Sequence, residues 1–249
     1  MESDVHPTRF RMPLFLEPIS HDRNEEAPMA DKINLVQKKR VQLQAAIGDL
    51  GALVIQALNQ SVVCLKAHDL ILAARIIEAD AAINQQRRLL EQQCLVTLAA
   101  YQPAGEDLRA LGACMELVSE LERIGDYAGD VASVMLKIGE ERLPPEPVAA
   151  ILGVAGNAIA MLTDALDAFT SNSDESTARA AVVREAQVDR DEEAIIQQVL
   201  GRMRTDAGFA LTGTYLLWIV HNYERVADRA TNVAERAVYV AAGQTPDLN

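Results

Sequence analysis

Aromatic residues are scarce in this chain: one Trp, five Tyr and four Phe make 4% of 249 residues. Sheets draw on aromatic and β-branched side chains, whereas Ala and Leu dominate here, so the shortage points away from sheet and toward helix bundles. Cysteine is scarce as well. Cys64, Cys94 and Cys114 are odd in number and lie 30 and 20 residues apart, a spacing that suits neither a disulfide framework nor a zinc knuckle. Small buried hydrophobes in a reducing compartment are expected instead. Positive charge is in deficit. Against 36 Asp and Glu stand 23 Lys and Arg, a net −13, which excludes nucleic acid and an anionic membrane surface as natural partners and leaves cations or basic protein patches. No apolar run approaches the ~18 uninterrupted residues of a membrane span, so the chain is not expected to be membrane-embedded. No basic start leads into an apolar core, so no secretory signal is expected and a cytoplasmic protein is. No Gly-rich loop of the Walker type is present.

Proline and glycine are thin outside a few places, and those places mark the organisation. Residues 1–31 hold Pro7, Pro13, Pro18 and Pro28 without lasting periodicity, which predicts a flexible extension with a short turn near residues 14–19. A helical pattern follows over about 31–66, with Ile47, Leu50, Val54, Leu58, Val62 and Leu65 in 3.6-type spacing. Asp69 is placed to cap a second helix, 69–101, carrying Leu72, Ile76, Ile83 and Leu90. Pro103 and Gly105 stop it, and a third runs over 105–140. Leu143-Pro-Pro-Glu-Pro147 cannot continue a helix and reads as a boundary. Three more helices are predicted over 148–170, 177–204 and 207–242. The expected fold is all-α: two tandem three-helix bundles of antiparallel up-down helices, residues 32–142 and 148–243, side by side.

The chemistry gathers at Glu122-Arg-Ile-Gly-Asp126-Tyr-Ala-Gly-Asp130 and at its echo Glu224-Arg-Val-Ala-Asp228-Arg-Ala-Thr-Asn232. At about 100° per residue, Leu117, Leu121, Ile124, Ala128, Val131 and Met135 form one stripe of the helix, and Glu122, Asp126 and Asp130 lie opposite. The second copy puts Leu216, Val220, Tyr223, Ala227, Ala230 and Ala234 on the stripe and Glu224, Asp228, Asn232 and Glu235 opposite. Both rows are therefore expected to face outward. The second helices add Asp80/Asn84 and Glu185/Asp189 as i, i+4 oxygen pairs beside the rows. Carboxylates at i, i+4 repel, a cost that a cation reverses, and oxygen donors suit Mg, Mn, Fe or Zn rather than copper. Spacing alone leaves a solvated acidic face equally open, and Asn84 is better read as a polar edge. Arg123 and Arg225 are expected to neutralise the rows. Of His6, His21, His68 and His221, only His221 lies beside a motif, and a surface imidazole is the simpler reading. The Tyr215–Val220 stretch is expected in the core, and no nucleophile with a nearby base stands out.

Leu-Glu-Arg-Ile-Gly-Asp-Tyr-Ala and the weaker Tyr-Glu-Arg-Val-Ala-Asp-Arg-Ala-Thr-Asn resemble the PhoU family of phosphate-uptake regulators over residues 35–243. Asp130, where the motif more usually has Asn, and Ala227, in place of Gly, depart from its pattern. The resemblance implies metal ions, iron or zinc first and manganese or magnesium next, at Glu122, Asp126, Asp130, Asp80, Glu224, Asp228, Asn232, Glu235, Glu185 and Asp189. It also implies a non-enzymatic regulator acting through a phosphate ABC transporter and a membrane sensor histidine kinase. A homo-oligomer, with a dimer favoured, is expected too. The alternatives are a metal-dependent phosphoesterase and a regulator of another transporter. Because the rows lie opposite the apolar stripes, Glu122→Ala combined with Asp126→Ala should lower the metal content of the purified protein while circular dichroism shows the helices intact; a large loss of helicity would place that face inside.

Overall fold

A computed structural model describes residues 29–171, 175–244 and 246–248. The predicted extension, with its turn near 14–19 and with His6 and His21, lies outside the described residues apart from its last few positions. The described chain runs α1 (Met29–Ala67), α2 (Leu70–Tyr101), α3 (Gly105–Ile138), α4 (Pro145–Thr170), α5 (Glu175–Ala181), α6 (Glu185–Thr205) and α7 (Ala210–Ala242), and no strand occurs among the described residues. Helices α1–α3 pack as one antiparallel bundle and α4, α6 and α7 as a second, with α5 laid against α4 and α7. The all-α tandem architecture is as expected.

Local chemistry accounts for most boundaries. Asp69 caps α2, its Oδ1 accepting from the Leu72 N–H at 2.9 Å. His68 enters the left-handed region at φ 55°, and its Nε2 lies 2.7 Å from the Gly139 carbonyl, tying the α1–α2 turn to the end of α3. Gly139 and Gly243 take φ 66° and 74° after α3 and α7, a backbone that disfavours any Cβ.

Three boundaries differ from expectation, the last helix starting at Ala210 behind a 3-10 turn at Ala207–Phe209 rather than at 207. Helix α4 begins at Pro145 rather than after the proline run, because the first turn has no intrahelical use for its N–H groups and tolerates proline there. The single helix expected over 177–204 is broken by a 3-10 turn at Val182–Arg184. Adjacent β-branched Val182 and Val183 are stiff in an α-helix, and Arg184 is drawn back to Asp164 at 2.8 Å. This break starts α6 at Glu185.

The predicted stripe residues of α3 and α7 are all buried, as are Ile47, Leu50, Val54, Leu58, Leu65, Ile76, Ile83 and Leu90; Val62 and Leu72 are half-buried. Each large aliphatic side chain so buried contributes roughly 1.5–3 kcal/mol. The core is continuous between the bundles, since α3 packs on α7 and α1 on α4. A buried hydrogen bond crosses it, Ser61 Oγ to Tyr223 Oη at 2.9 Å. All three cysteines are buried and free, and burial pushes the Cys64 and Cys94 thiols up to about 11. The Tyr215–Val220 stretch is only partly core: Leu216, Ile219 and Val220 are buried, but Trp218 is 48% exposed, edge-to-face with Tyr215 at 5.8 Å and under Lys137. Hydropathy also departs from expectation. Windows in α1 and α4 average 1.4 and 1.6, enough by length and composition to cross a membrane. Both helices put one side into the shared core, which explains much of that apolarity.

Gly51 sets how closely α1 and α4 approach. A Cβ there would fall 2.5 Å from Leu166 Cδ1 and 3.1 Å from Cδ2, and Leu166 is itself buried. Gly51→Ala should therefore lower the unfolding free energy by about 1–3 kcal/mol through overpacking, seen as an earlier urea midpoint at unchanged m-value; an unchanged midpoint would show that Leu166 repacks freely.

Candidate metal centre

Each bundle carries a half-buried trench of oxygen atoms between its second and third long helices. Along α2, buried Ala73 and Cys94 share a seven-residue register with Asp80 and Arg87, and Ile76, Ile83 and Leu90 share the neighbouring one. Asp80 thus sits on the edge of the seam that packs against α3. Along α6, Glu185, Glu192 and Val199 repeat that register, beside buried Val188 and Ile195. The acids are held at the seam edges by the same periodicity that buries the hydrophobes.

In the first trench Asp80 of α2 and Glu122 and Asp130 of α3 all lie near enough to Asp126 for their charges to act on it. Asn84 Nδ2 donates to Asp80 Oδ2 at 2.6 Å, while Asp80 Oδ1 is buried with no hydrogen-bond partner. Partial burial, then the charges of Glu122, Asp80 and Asp130, push the Asp126 carboxyl up to about 6 against the pull of Arg123. Gly125 lets α2 approach: a Cβ there would lie 3.0 Å from Ile83 Cδ1.

The second trench is tighter. Ligand oxygens of Asp189, Glu224 and Asp228 lie within 4.8 Å of one another, and so do the ligand atoms of Glu192, His221 and Glu224. Burial, then the charges of Asp228 and Glu192, push Glu224 up to about 8. Its Oε2 is buried without a hydrogen bond. Glu185 is likewise raised, by burial first and by Asp189, Asp228 and Glu235 after it, although Thr231 Oγ1 donates to it at 3.0 Å.

The predicted residues are thus mostly gathered, with differences. Asp126, Asp130, Asp189 and Asp228 are exposed, as an outward row requires, but Asp80, Glu122, Glu185 and Glu224 are half-buried. Asn232 turns away: its Nδ2 donates to Glu120 of the other repeat at 3.3 Å. Eight residues carry it about 80° round the helix from Glu224. Glu235 stands beside Glu185 and accepts from the Leu248 N–H at 3.2 Å. Arg225 is not a neutraliser of the row, for its guanidinium stacks on Tyr127 at 4.3 Å. Two residues go beyond the sequence reading. Glu192 was not singled out, although its seven-residue step from Glu185 was a signal. His221 does stand at the surface, yet its Nδ1 lies 3.2 Å from both Glu192 and Glu224.

The PhoU domain matches this chain twice, at residues 47–135 and 151–237. The chain belongs to the PhoU family. A PhoU homolog of Streptococcus pneumoniae, described as a phosphate-specific transport system accessory protein, is 32% identical over 208 residues, 84% of this chain and 95% of its own. The Escherichia coli PhoU accessory protein is 29% identical over 81% of this chain and 83% of its own. Among solved structures, the phosphate transport system regulatory protein PhoU from Streptococcus pneumoniae superposes with TM-score 0.78 at 29% identity, covering 85% of this chain and 99% of its own. PhoU from Pseudomonas aeruginosa gives 0.78 at 28%, covering 87% and 100%.

The metal implied by the resemblance fits the donors present: each PhoU repeat gathers several carboxylates, and in each trench one carboxylate oxygen, Asp80 Oδ1 in the first and Glu224 Oε2 in the second, is buried without a hydrogen bond. The same crowding dictates a pH response. Asp126 and Glu224 ionise near 3.8 and 4.5 when unfolded but at about 6 and 8 when folded. The folded state therefore holds more protons over that interval, and stability from these groups, complete below pH 4, is lost as pH rises toward 8. Metal-free protein should melt at progressively lower temperature from pH 5 to pH 8, and Glu224→Gln should flatten that slope; a slope rising with pH in the wild type would contradict the trench electrostatics.

Proposed function

We propose that this PhoU-family chain is a cytoplasmic, metal-binding regulator of inorganic phosphate uptake and phosphate-starvation signalling, acting by contact with a phosphate ABC transporter and a membrane sensor histidine kinase. The observation that carries the reading is the pair of carboxylate trenches, one per repeat, on a fold whose relatives are phosphate transport system accessory and regulatory proteins. Iron or zinc first, and manganese or magnesium next, are the ions expected for the protein as a whole; in the first trench Asp80, Glu122, Asp126 and Asp130 would hold the ion. Asp189, Glu224 and Asp228 would hold it in the second, with Glu185 and Glu235 behind them. Bound cations supply the positive charge that lets these acids ionise together. Asn232 serves the contact between repeats rather than the ion.

A regulatory role suits this geometry better than catalysis. The trenches open along the outside of a bundle, with Asp126, Asp130, Asp189 and Asp228 exposed, whereas reaction sites are usually enclosed pockets. Two surface depressions, lined by residues such as Ile55 and Val63, and by Gly153 and Ile195, lie apart from the trenches' central acids. A homo-oligomer, a dimer in preference, fits the half-exposed apolar helices α1 and α4.

Deleting the gene should raise a phosphate-starvation reporter in phosphate-replete cells, and wild-type protein should restore repression where a variant carrying Asp126→Ala and Asp228→Ala does not. A reporter indifferent to the deletion would refute phosphate regulation. Metal-dependent hydrolysis of a simple phosphoester by the purified protein, lost in Asp126→Ala, would make it an enzyme instead.

A further inference from the structure

The two repeats align residue by residue, and the alignment exposes where they differ. Shifting α2 by 105 positions onto α6 pairs Asp80 with Glu185, Ile83 with Val188, Asn84 with Asp189, Leu90 with Ile195 and Cys94 with Val199. It also pairs Arg87 with Glu192. Shifting α3 by 102 positions onto α7 pairs Glu122 with Glu224 and Asp126 with Asp228, and places Ser119 opposite His221. So where the second trench has a carboxylate and an imidazole, the first has a guanidinium and a hydroxyl. Arg87 is occupied with Glu91 of its own helix at 3.2 Å. Among the described residues, only the second trench brings three ligand atoms within 4.8 Å.

We infer that the two trenches are metal sites of different class. The second is a mixed nitrogen–oxygen centre in which His221 Nδ1 and Glu192 join Glu224, Asp189 and Asp228 to take a borderline transition ion such as Zn2+, Co2+ or Fe2+. The first is an oxygen-only site for a harder ion such as Mn2+ or Mg2+. The inference rests on the metal-binding reading above and divides it.

Three observations carry it. His221 Nδ1 stands 3.2 Å from Glu192 Oε1 on α6 and 3.2 Å from Glu224 Oε2 on α7. Two donors bound at about 2.0–2.1 Å to one tetrahedral ion stand about 3.3 Å apart, so these gaps already suit a shared ion. Glu224 is the residue common to both triads, and its Oε2 is buried, with the His221 imidazole beside it and no hydrogen bond of its own. Imidazole favours zinc, iron and nickel over magnesium and calcium, whereas carboxylates alone do not make that distinction.

The test uses full-length protein stripped of metal with a chelator. It is titrated with Co2+ followed by visible absorption, with Zn2+ in competition, and separately with Mn2+ followed by electron paramagnetic resonance. His221 is 61% exposed, so His221→Ala should fold, which circular dichroism checks. That variant should lose the Co2+ bands and bind Zn2+ at least about tenfold more weakly, while Mn2+ binding stays within twofold. Asp126→Ala should do the reverse, sparing Co2+ and weakening Mn2+. Co2+ and Zn2+ binding unchanged in His221→Ala but abolished in Asp228→Ala would overturn the mixed-donor assignment while leaving a metal site in place. No binding of any of these ions by the wild type would remove the metal reading itself, and this inference with it.

Discussion

Helices α3 and α7 pack against each other in the middle of the molecule and bury their apolar stripes in one shared core, and the rest of the structure follows from that burial. Leu117, Leu121, Ile124, Ala128 and Val131 on α3, with Leu216, Val220, Tyr223 and Ala230 on α7, are removed from water. A helix that buries one side must show the other. The motif acids therefore point away from the contact, each set toward the second long helix of its own repeat. The distance between the two trenches is thus a property of the core, set by hydrophobic burial before any charge is considered.

Electrostatics works against this arrangement rather than for it. Asp126, Glu185 and Glu224 all hold their protons more tightly than free carboxyls do, with burial as the first cause in each case. Arg123 offsets part of this at Asp126, but the arginines of α7 are engaged elsewhere. Arg225 and Arg229 lie against Tyr127, Arg229 Nη1 also reaches Glu120 at 2.8 Å, and Arg236 reaches Glu116 at 2.9 Å. The positive charge of α7 is spent on holding the repeats together, and the acidic edges are left short of it. Proteins retain such local conflict where something else supplies the missing partner.

Much of this could be read in the sequence, because periodicity is a strong signal in long helices. The stripes, the cap at Asp69 and the twofold repeat all followed from spacing. What could not be read depended on which of two neighbouring faces a residue takes. Asn232 lies on the motif's formal repeat, but eight residues of drift turn it to Glu120. Trp218 belongs to an apolar run and still emerges beside Lys137. Glu192 and His221 come together across α6 and α7, and their pairing depends on the register between two helices, which no single-helix pattern contains. The break at Val182–Arg184 was missed because the propensity cost of two valines is small and only tertiary context makes it decisive.

The hydrogen bond between Ser61 and Tyr223 and the unbroken core around it bear on how this duplicated chain can change over generations. Either half, separated from the other, would expose the part of the core that its twin now covers, and a sticky fragment of that kind aggregates. Once the copies had fused, neither could be discarded, while each remained free to drift in the chemistry of its outer edge.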